Sequence, residues 1–288
     1  VKIIDIHTHA FPNAIAARAI AHLAERDGIH PFHDGTLRGL DRSRRRAGID
    51  LCVVLSVATR PSQVPSINRW ILEPPDPDDI LGDPRESTIF FGGMHPYYED
   101  YEAEIHRLRW ASIRGVKLHP NFQDFLPDDP AFSPLFRTLA REGMIALFHA
   151  GKDISIPGAP GSPERLARLA DRFPDLTMIC AHMGGWEMWD DVERYLLGRP
   201  NVYLDTAFVF DCLDDRRFVD LARRHGVDRI LFGTDTPWRE QLDDVERMRS
   251  LPLTSEELNA IMWKNASRLL RLNELKLFAA SRPATRSL

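Results

Sequence analysis

The sequence predicts an α/β fold, a parallel (β/α)8 barrel of the TIM type with an additional C-terminal helix. Eight short β-branched runs alternate with helical patterns along the chain. After the first crossover these runs begin roughly 25 to 37 residues apart, a normal βαβ repeat. No Gly-x-Gly-x-x-Gly follows the first run, which counts against the doubly wound open sheet. At 288 residues the chain has the size of one barrel or of two small domains, and it can bury a sizeable core.

The expected strands are Lys2–His9, Leu51–Val57, Thr88–Met94, Ile113–His119, Met144–His149, Leu176–Ala181, Asn201–Asp205 and Arg229–Gly233. Asp129-Pro130 places a cap before a first-turn proline, and Phe132, Leu135, Phe136, Leu139 and Ala140 follow at helical spacing. Ser162-Pro163 repeats the device ahead of Leu166, Leu169, Ala170 and Phe173. Thr254 with Glu257 forms a capping box before the stripe Leu258, Ile261, Met262 and Leu269, the additional terminal helix. About 40 residues separate the first two strands, room for a second helix, and Arg42-Ser43-Arg44-Arg45-Arg46 within them reads as a solvated helix face. Glu73 to Pro84 is rich in proline and acid and reads as a surface loop over the barrel. Residues 1–277 are expected to form a single domain and 278–288 a flexible tail.

The 42 acidic and 37 basic side chains give a net charge of −5, without a basic block long enough for phosphate-backbone binding. Nucleic acid is therefore not an expected partner. No apolar stretch is long enough for a membrane span or a secretory leader. Cys52, Cys180 and Cys212 are far apart, odd in number and outside any C-x-x-C pattern, as in a reduced, cytoplasmic protein. The expected partner is a small-molecule substrate, and a homo-oligomer is compatible with these features.

Eleven histidines exceed what packing needs, and several sit at strand ends. The first strand closes Asp5-Ile6-His7-Thr8-His9, where strict alternation puts Asp5, His7 and His9 on one face. Two imidazoles two residues apart can grip one cation from the same side, and imidazole suits zinc and its first-row neighbours. The fourth strand carries Lys117 and His119 on one face, the fifth ends at His149, the sixth closes into His182, and the eighth runs to Asp235. Barrel strands converge on one mouth at their C-terminal ends, so these five ends meet in one pocket. His95, at the end of the third strand, is a further lining candidate, and Arg60, just past the second, an anion-binding one. Trp186 and Trp238 fall at the mouth, to stack on a ring or to pack the loops. His22, His30, His33, His106 and His225 fall in helices or loops, where surface or packing roles are expected.

The pattern resembles the amidohydrolase superfamily, and within it the branch that includes the aromatic-acid decarboxylases and related hydrolases. The resemblance covers nearly the whole chain. It rests on Asp-Ile-His-Thr-His, Gly-Val-Lys-Leu-His-Pro, Phe-His-Ala-Gly, Ala-His-Met-Gly-Gly, Leu-Phe-Gly-Thr-Asp-Thr-Pro-Trp and the terminal Lys-Asn-Ala-Ser-Arg-Leu from Lys264. It implies His7, His9, His149 and Asp235 as ligands of one divalent metal, zinc by preference, with His182 as an acid/base or as ligand of a second metal. Lys117 has two readings: a carboxylated lysine bridging two metals with His182, or an ammonium that binds an anionic substrate group with His119. The branch is usually mononuclear, which favours the second. The nuclease-like branch has a glutamate near this point, so Lys117 also counts against DNA or RNA as substrate.

The implied activity is hydrolysis of an ester, lactone or amide through metal-activated water. In it Asp235 orients the water and takes its proton, and His182 supplies the leaving-group proton. Asp5, on the ligand face one step deeper in the strand, is a candidate to support the ligands. The alternative is a lyase using the same residues, a metal-dependent decarboxylase of an aromatic or unsaturated acid. Decarboxylases of the family tend to be longer than this chain, which tilts the expectation towards hydrolysis.

Overall fold

Period-2 patterning and βαβ spacing produce one parallel sheet whose eight strands stand in sequence order. They are β1 (Ile4–Thr8), β2 (Leu51–Leu55), β3 (Thr88–Gly93), β4 (Gly115–Leu118), β5 (Ile145–Phe148), β6 (Met178–Cys180), β7 (Val202–Asp205) and β8 (Ile230–Leu231). The structure, a computed structural model, describes residues 2–73 and 87–272. The surface loop expected up to Pro84, the domain end at 277 and the tail beyond it lie outside the described residues.

Each strand pairs in parallel with the next. The sheet closes on itself beyond the short β8, where the Ile6 N–H donates to Phe232 O, the Asp235 N–H to His7 O, and the His9 N–H to Thr236 O. Alternate side chains feed two cores. Ile4, Ile6, Val53, Leu55, Phe91, Leu147, Ile179 and Leu231 fill the barrel interior. Val54, Val116, Leu118, Phe148, Cys180 and Leu204 face outward against the helices, meeting Phe136, Leu166, Val192 and Leu221.

The strict alternation expected of β1 fails at its end. Its register against β2 shifts between Asp5 and Thr8, a bulge that turns His7 into the mouth although Ile6 already faces the interior. Asp5 instead points away from the ligand face, towards Thr234, Gln241 and Cys52. Its oxygens accept the His7 and Thr234 N–H groups at 3.2 and 3.1 Å and the Thr234 hydroxyl at 2.6 Å. Asp5 thus ties the ends of β1 and β8 together from behind.

Two helices, Asn13–Asp27 and Leu37–Ala47, occupy the long first crossover. Of the run expected as a solvated face, Arg42, Arg45 and Arg46 are exposed and paired with Asp34, Asp41 and Glu240, whereas Ser43 is buried and Arg44 is held inward against the buried Asp41 and Ile49 O. The Thr254–Glu257 capping box forms as expected. Asp129 caps a short 3-10 turn, Pro130–Phe132, that leads into the helix Ser133–Arg141. Ser162 stands at its cap position without a side-chain hydrogen bond. The terminal helix runs from Ser255 through a wider turn, Ala260–Lys264, to Leu269. Its Ala266, with Leu270 and Leu272 beyond, packs on the interior cluster at the strand starts, and Asn265 Nδ2 donates to Val227 O and Ile230 O. The barrel is therefore stopped at the end opposite the histidines.

Leu147 lies fully buried in the interior layer, two residues below His149. Leu147→Ala should cost about 2–5 kcal/mol, because neighbours on closed strands cannot collapse into the space. The check is the shift in denaturation midpoint at unchanged slope.

Candidate active site

The strand ends converge as the spacing implies. His7, His9, Lys117, His119, His149, His182, Asp235, Trp186 and Trp238 all line one cavity of about 550 Å³. Arg60 and His95 do not. Arg60 is exposed on the turn after β2, where its N–H donates to Gln63 Oε1. His95 is buried outside the cavity, its ring accepting the Tyr97 N–H. His22, expected in a surface or packing role, lines the mouth from the helix Asn13–Asp27, beside Arg26.

Four imidazoles are each fixed by a hydrogen bond on one ring nitrogen, which sets the tautomer and leaves the other nitrogen as a lone pair. His7 Nδ1–H donates to Asp205 Oδ2 at 2.9 Å, His9 Nδ1–H to Leu55 O at 2.9 Å, and His182 Nδ1–H to Ala207 O at 2.8 Å. His149 donates through Nε2–H to Lys152 O at 2.9 Å. The lone pairs of His9, His149 and His182 then face other acceptors, while that of His7 lies between Asp235 Oδ1 and Lys117 Nζ. His182 Nε2 meets His149 Nδ1 at 3.0 Å, and Asp235 Oδ1 stands 3.0 Å from His9 Nε2 and 3.5 Å from His7 Nε2. Acceptors opposed at such distances repel unless a cation lies among them, so the donor set fits a metal ion. One group of donors within 4.8 Å of one another comprises His7, His9 and Asp235. His149 falls in a second group, with His119 and Asp153.

Electrostatics favour the ligand-competent forms. Burial, reinforced by Lys117, lowers His7 to about 4, and burial with His182 and Lys117 holds His149 well below the usual imidazole range. Burial opposes ionisation of Asp235, yet His7, His9 and His182 outweigh it and keep the carboxyl well below its ordinary value. Burial draws Lys117 down to about 8 against the pull of Asp235 and Asp205, and its Nζ stands 3.1 Å from His7 Nε2. Two carboxylates against one ammonium leave the floor with one negative charge. A divalent cation reverses that sign and so suits a substrate monoanion.

Asp205 escaped the sequence reading. It ends β7 as the others end their strands, and a buried carboxylate at that register was the available signal. Its second oxygen accepts the His182 and Ala207 N–H groups at 3.0 and 3.1 Å. Asp153 and Phe122 were missed as well. His119 stacks between Phe122 (centroids 3.7 Å apart, 6° between planes) and His149 (4.1 Å, 8°). Arg26 caps the column, 4.3 Å above the Phe122 ring.

The backbone allows this crowding at two glycines. A Cβ on Gly233 would stand 2.9 Å from His7 Cβ, and one on Gly151, at φ +91°, 2.3 Å from Trp186 N. Two of the site residues themselves, His182 (φ 59°) and Asp235 (φ 72°), adopt the left-handed region although neither is glycine.

A barrel with imidazole and carboxylate donors at its strand C-termini defines a metal-dependent enzyme class, and comparison with known families agrees. A family profile described as amidohydrolase matches residues 4–272, so the chain belongs to the amidohydrolase family. Gamma-resorcylate decarboxylase of Polaromonas is 27% identical over 124 residues, 36% of this chain and 37% of that protein's length. Among solved structures, an uncharacterised TIM-barrel protein from Bordetella bronchiseptica superposes with TM-score 0.73 at 22% identity, covering 94% of this chain and 99% of that one. 5-Carboxyvanillate decarboxylase from Novosphingobium aromaticivorans, complexed with manganese and 4-hydroxy-3-methoxy-5-nitrobenzoic acid, does so at 0.67 and 16%, covering 94% and 96%. At these identities the structural likeness establishes the fold.

An amide at position 205 cannot serve both His7 Nδ1–H and the His182 and Ala207 N–H groups, because one of its two atoms is a donor facing a donor. Asp205→Asn should therefore lower affinity for Zn2+ by about 10–100-fold while the fold survives. Chelator competition, with circular dichroism as the control, measures both.

Proposed function

We infer that the protein is a metal-dependent decarboxylase of a small aromatic or unsaturated carboxylic acid. The observation that carries this reading is the cluster of fixed lone pairs around a buried ammonium, at the floor of a pocket walled by aliphatic and aromatic side chains. The decarboxylase names of the Polaromonas and Novosphingobium proteins support it.

A divalent cation held by His7, His9, Asp235 and His149 would supply Lewis-acid attraction for an anionic substrate oxygen. The imidazole-rich donor set makes zinc the first choice, with manganese next from the bound neighbour. One cation is the reading adopted, with Lys117 uncarboxylated and standing as an ammonium beside His7. Lys117 Nζ holds the substrate carboxylate, and the apolar walls strip water from it. Trp186 and Trp238 offer ring faces at the mouth. As the bond to the carboxylate carbon breaks, its electron pair stays on the substrate carbon, which takes a proton. Each turnover thus consumes one proton and releases one carbon dioxide. His182, with Nδ1–H committed to Ala207 O, presents Nε2 as the atom that collects and delivers that proton. Asp235 Oδ1 is the second proton-accepting atom at the floor. Hydrolysis of an ester, lactone or amide with the same residues is the second reading, favoured by the family description.

The test is carbon dioxide release from a panel of aromatic and unsaturated acids by protein reconstituted with Zn2+ or Mn2+, alongside metal analysis. The expected result is about one metal per chain, decarboxylation of at least one acid, and a drop of about 10²–10⁴ in kcat for His182→Asn with the metal retained. Acid release from esters or lactones without carbon dioxide would move the assignment to hydrolase. Well under one metal per chain would defeat both.

A further inference from the structure

The second donor group, His119 and Asp153 beside His149, is not built to take a metal through His119. The Phe122 N–H donates to His119 Nδ1 at 3.4 Å, so the ring carries its proton on Nε2. Nε2 is the atom that faces Asp153 Oδ2, at 3.9 Å. That separation is too long for a hydrogen bond between them.

Both groups are held in place. Phe122 and His149 sandwich the His119 ring, so it cannot swing to close the gap. Asp153 Oδ1 accepts the Ser155 N–H at 3.0 Å, the Ser155 hydroxyl at 3.2 Å and the Ile156 N–H at 2.9 Å, which fixes the carboxylate and leaves Oδ2 towards the cavity. Each side chain is only 8% exposed, and both line the pocket. A buried N–H donor and a buried carboxylate acceptor thus stand apart in the wall, with a gap that one oxygen can span within hydrogen-bond distance of each. That oxygen must accept from His119 and donate to Asp153. A hydroxyl does both; an ether or a carboxylate oxygen cannot donate. The neighbouring cations are engaged elsewhere, Arg26 with Asp27 and Lys152 with Glu187.

We propose that His119 and Asp153 form a hydroxyl-recognition subsite, selecting ligands that carry an alcoholic or phenolic O–H away from the group held at Lys117. The subsite rests on the reading of this cavity as the substrate pocket. Asp153 and His119 act as specificity-determining residues and take no part in bond breaking.

The test is equilibrium binding to the metal-loaded protein, followed by calorimetry, of benzoate, the three hydroxybenzoates and their methyl ethers. At least one hydroxybenzoate should bind about tenfold more tightly than its methyl ether, as a hydrogen bond to a charged acceptor implies. In Asp153→Asn, Oδ1 keeps its turn while an NH2 replaces the acceptor, so that preference should vanish with benzoate affinity unchanged. His119→Phe keeps the stack and removes the donor, and should weaken hydroxy and methoxy ligands alike relative to benzoate. Equal binding of every hydroxy–methoxy pair by the wild type overturns the proposal, as does an Asp153→Asn loss that is the same for benzoate as for the hydroxybenzoates. If none of the acids binds, the carboxylic-acid reading has failed, and phenol against anisole decides the subsite. A preference for phenol lost in Asp153→Asn sustains it; equal binding, or no binding of either, overturns it.

Discussion

Asp205 reaches two histidines from different strands at once, through Oδ2 on the His7 ring and Oδ1 on the His182 backbone. This one buried carboxylate sets the tautomer of the first and the position of the second. Burial opposes its charge, but His7 and then His182 hold its pKa below the ordinary value, so it remains the anion both contacts need. His7 and His182 take their placement from this group, while His9 and His149 are fixed by the Leu55 and Lys152 carbonyls, and the lone pairs aim inward only while their opposite nitrogens are occupied.

The barrel supplies the rigidity for that arrangement and the contrast around it. Closed strands and a terminal helix packed across the far end leave the mouth as the place where polar groups meet an apolar wall. Charge is confined to a small area there, where low polarity strengthens each interaction. The overall charge of −5 says nothing of this, since the ion-paired surface dominates the count.

The barrel, its strand order and the strand-end histidines were legible because βαβ spacing and a period of two are properties of the chain itself. Legibility stopped where a residue's meaning depends on its neighbours in space. The bulge after Asp5 reversed one face without any mark in the local sequence. Asp205 looks like an ordinary strand terminus until His7, 198 positions away, is placed against it. His95 and Arg60 sit at strand ends as required, yet one turns behind the wall and the other out to solvent. A strand end fixes where a side chain begins, and the following loop fixes where it points. Lys117 shows the converse, since its register alone brought it to the ligand cluster.

The left-handed backbone at His182 and Asp235 bears on stability. Each such residue costs on the order of 1–3 kcal/mol and persists because the surrounding contacts over-determine it. Replacement by glycine would relax the chain and remove a cavity-lining imidazole or carboxylate in the same step, so at these two positions backbone ease and the side chain in the pocket oppose one another.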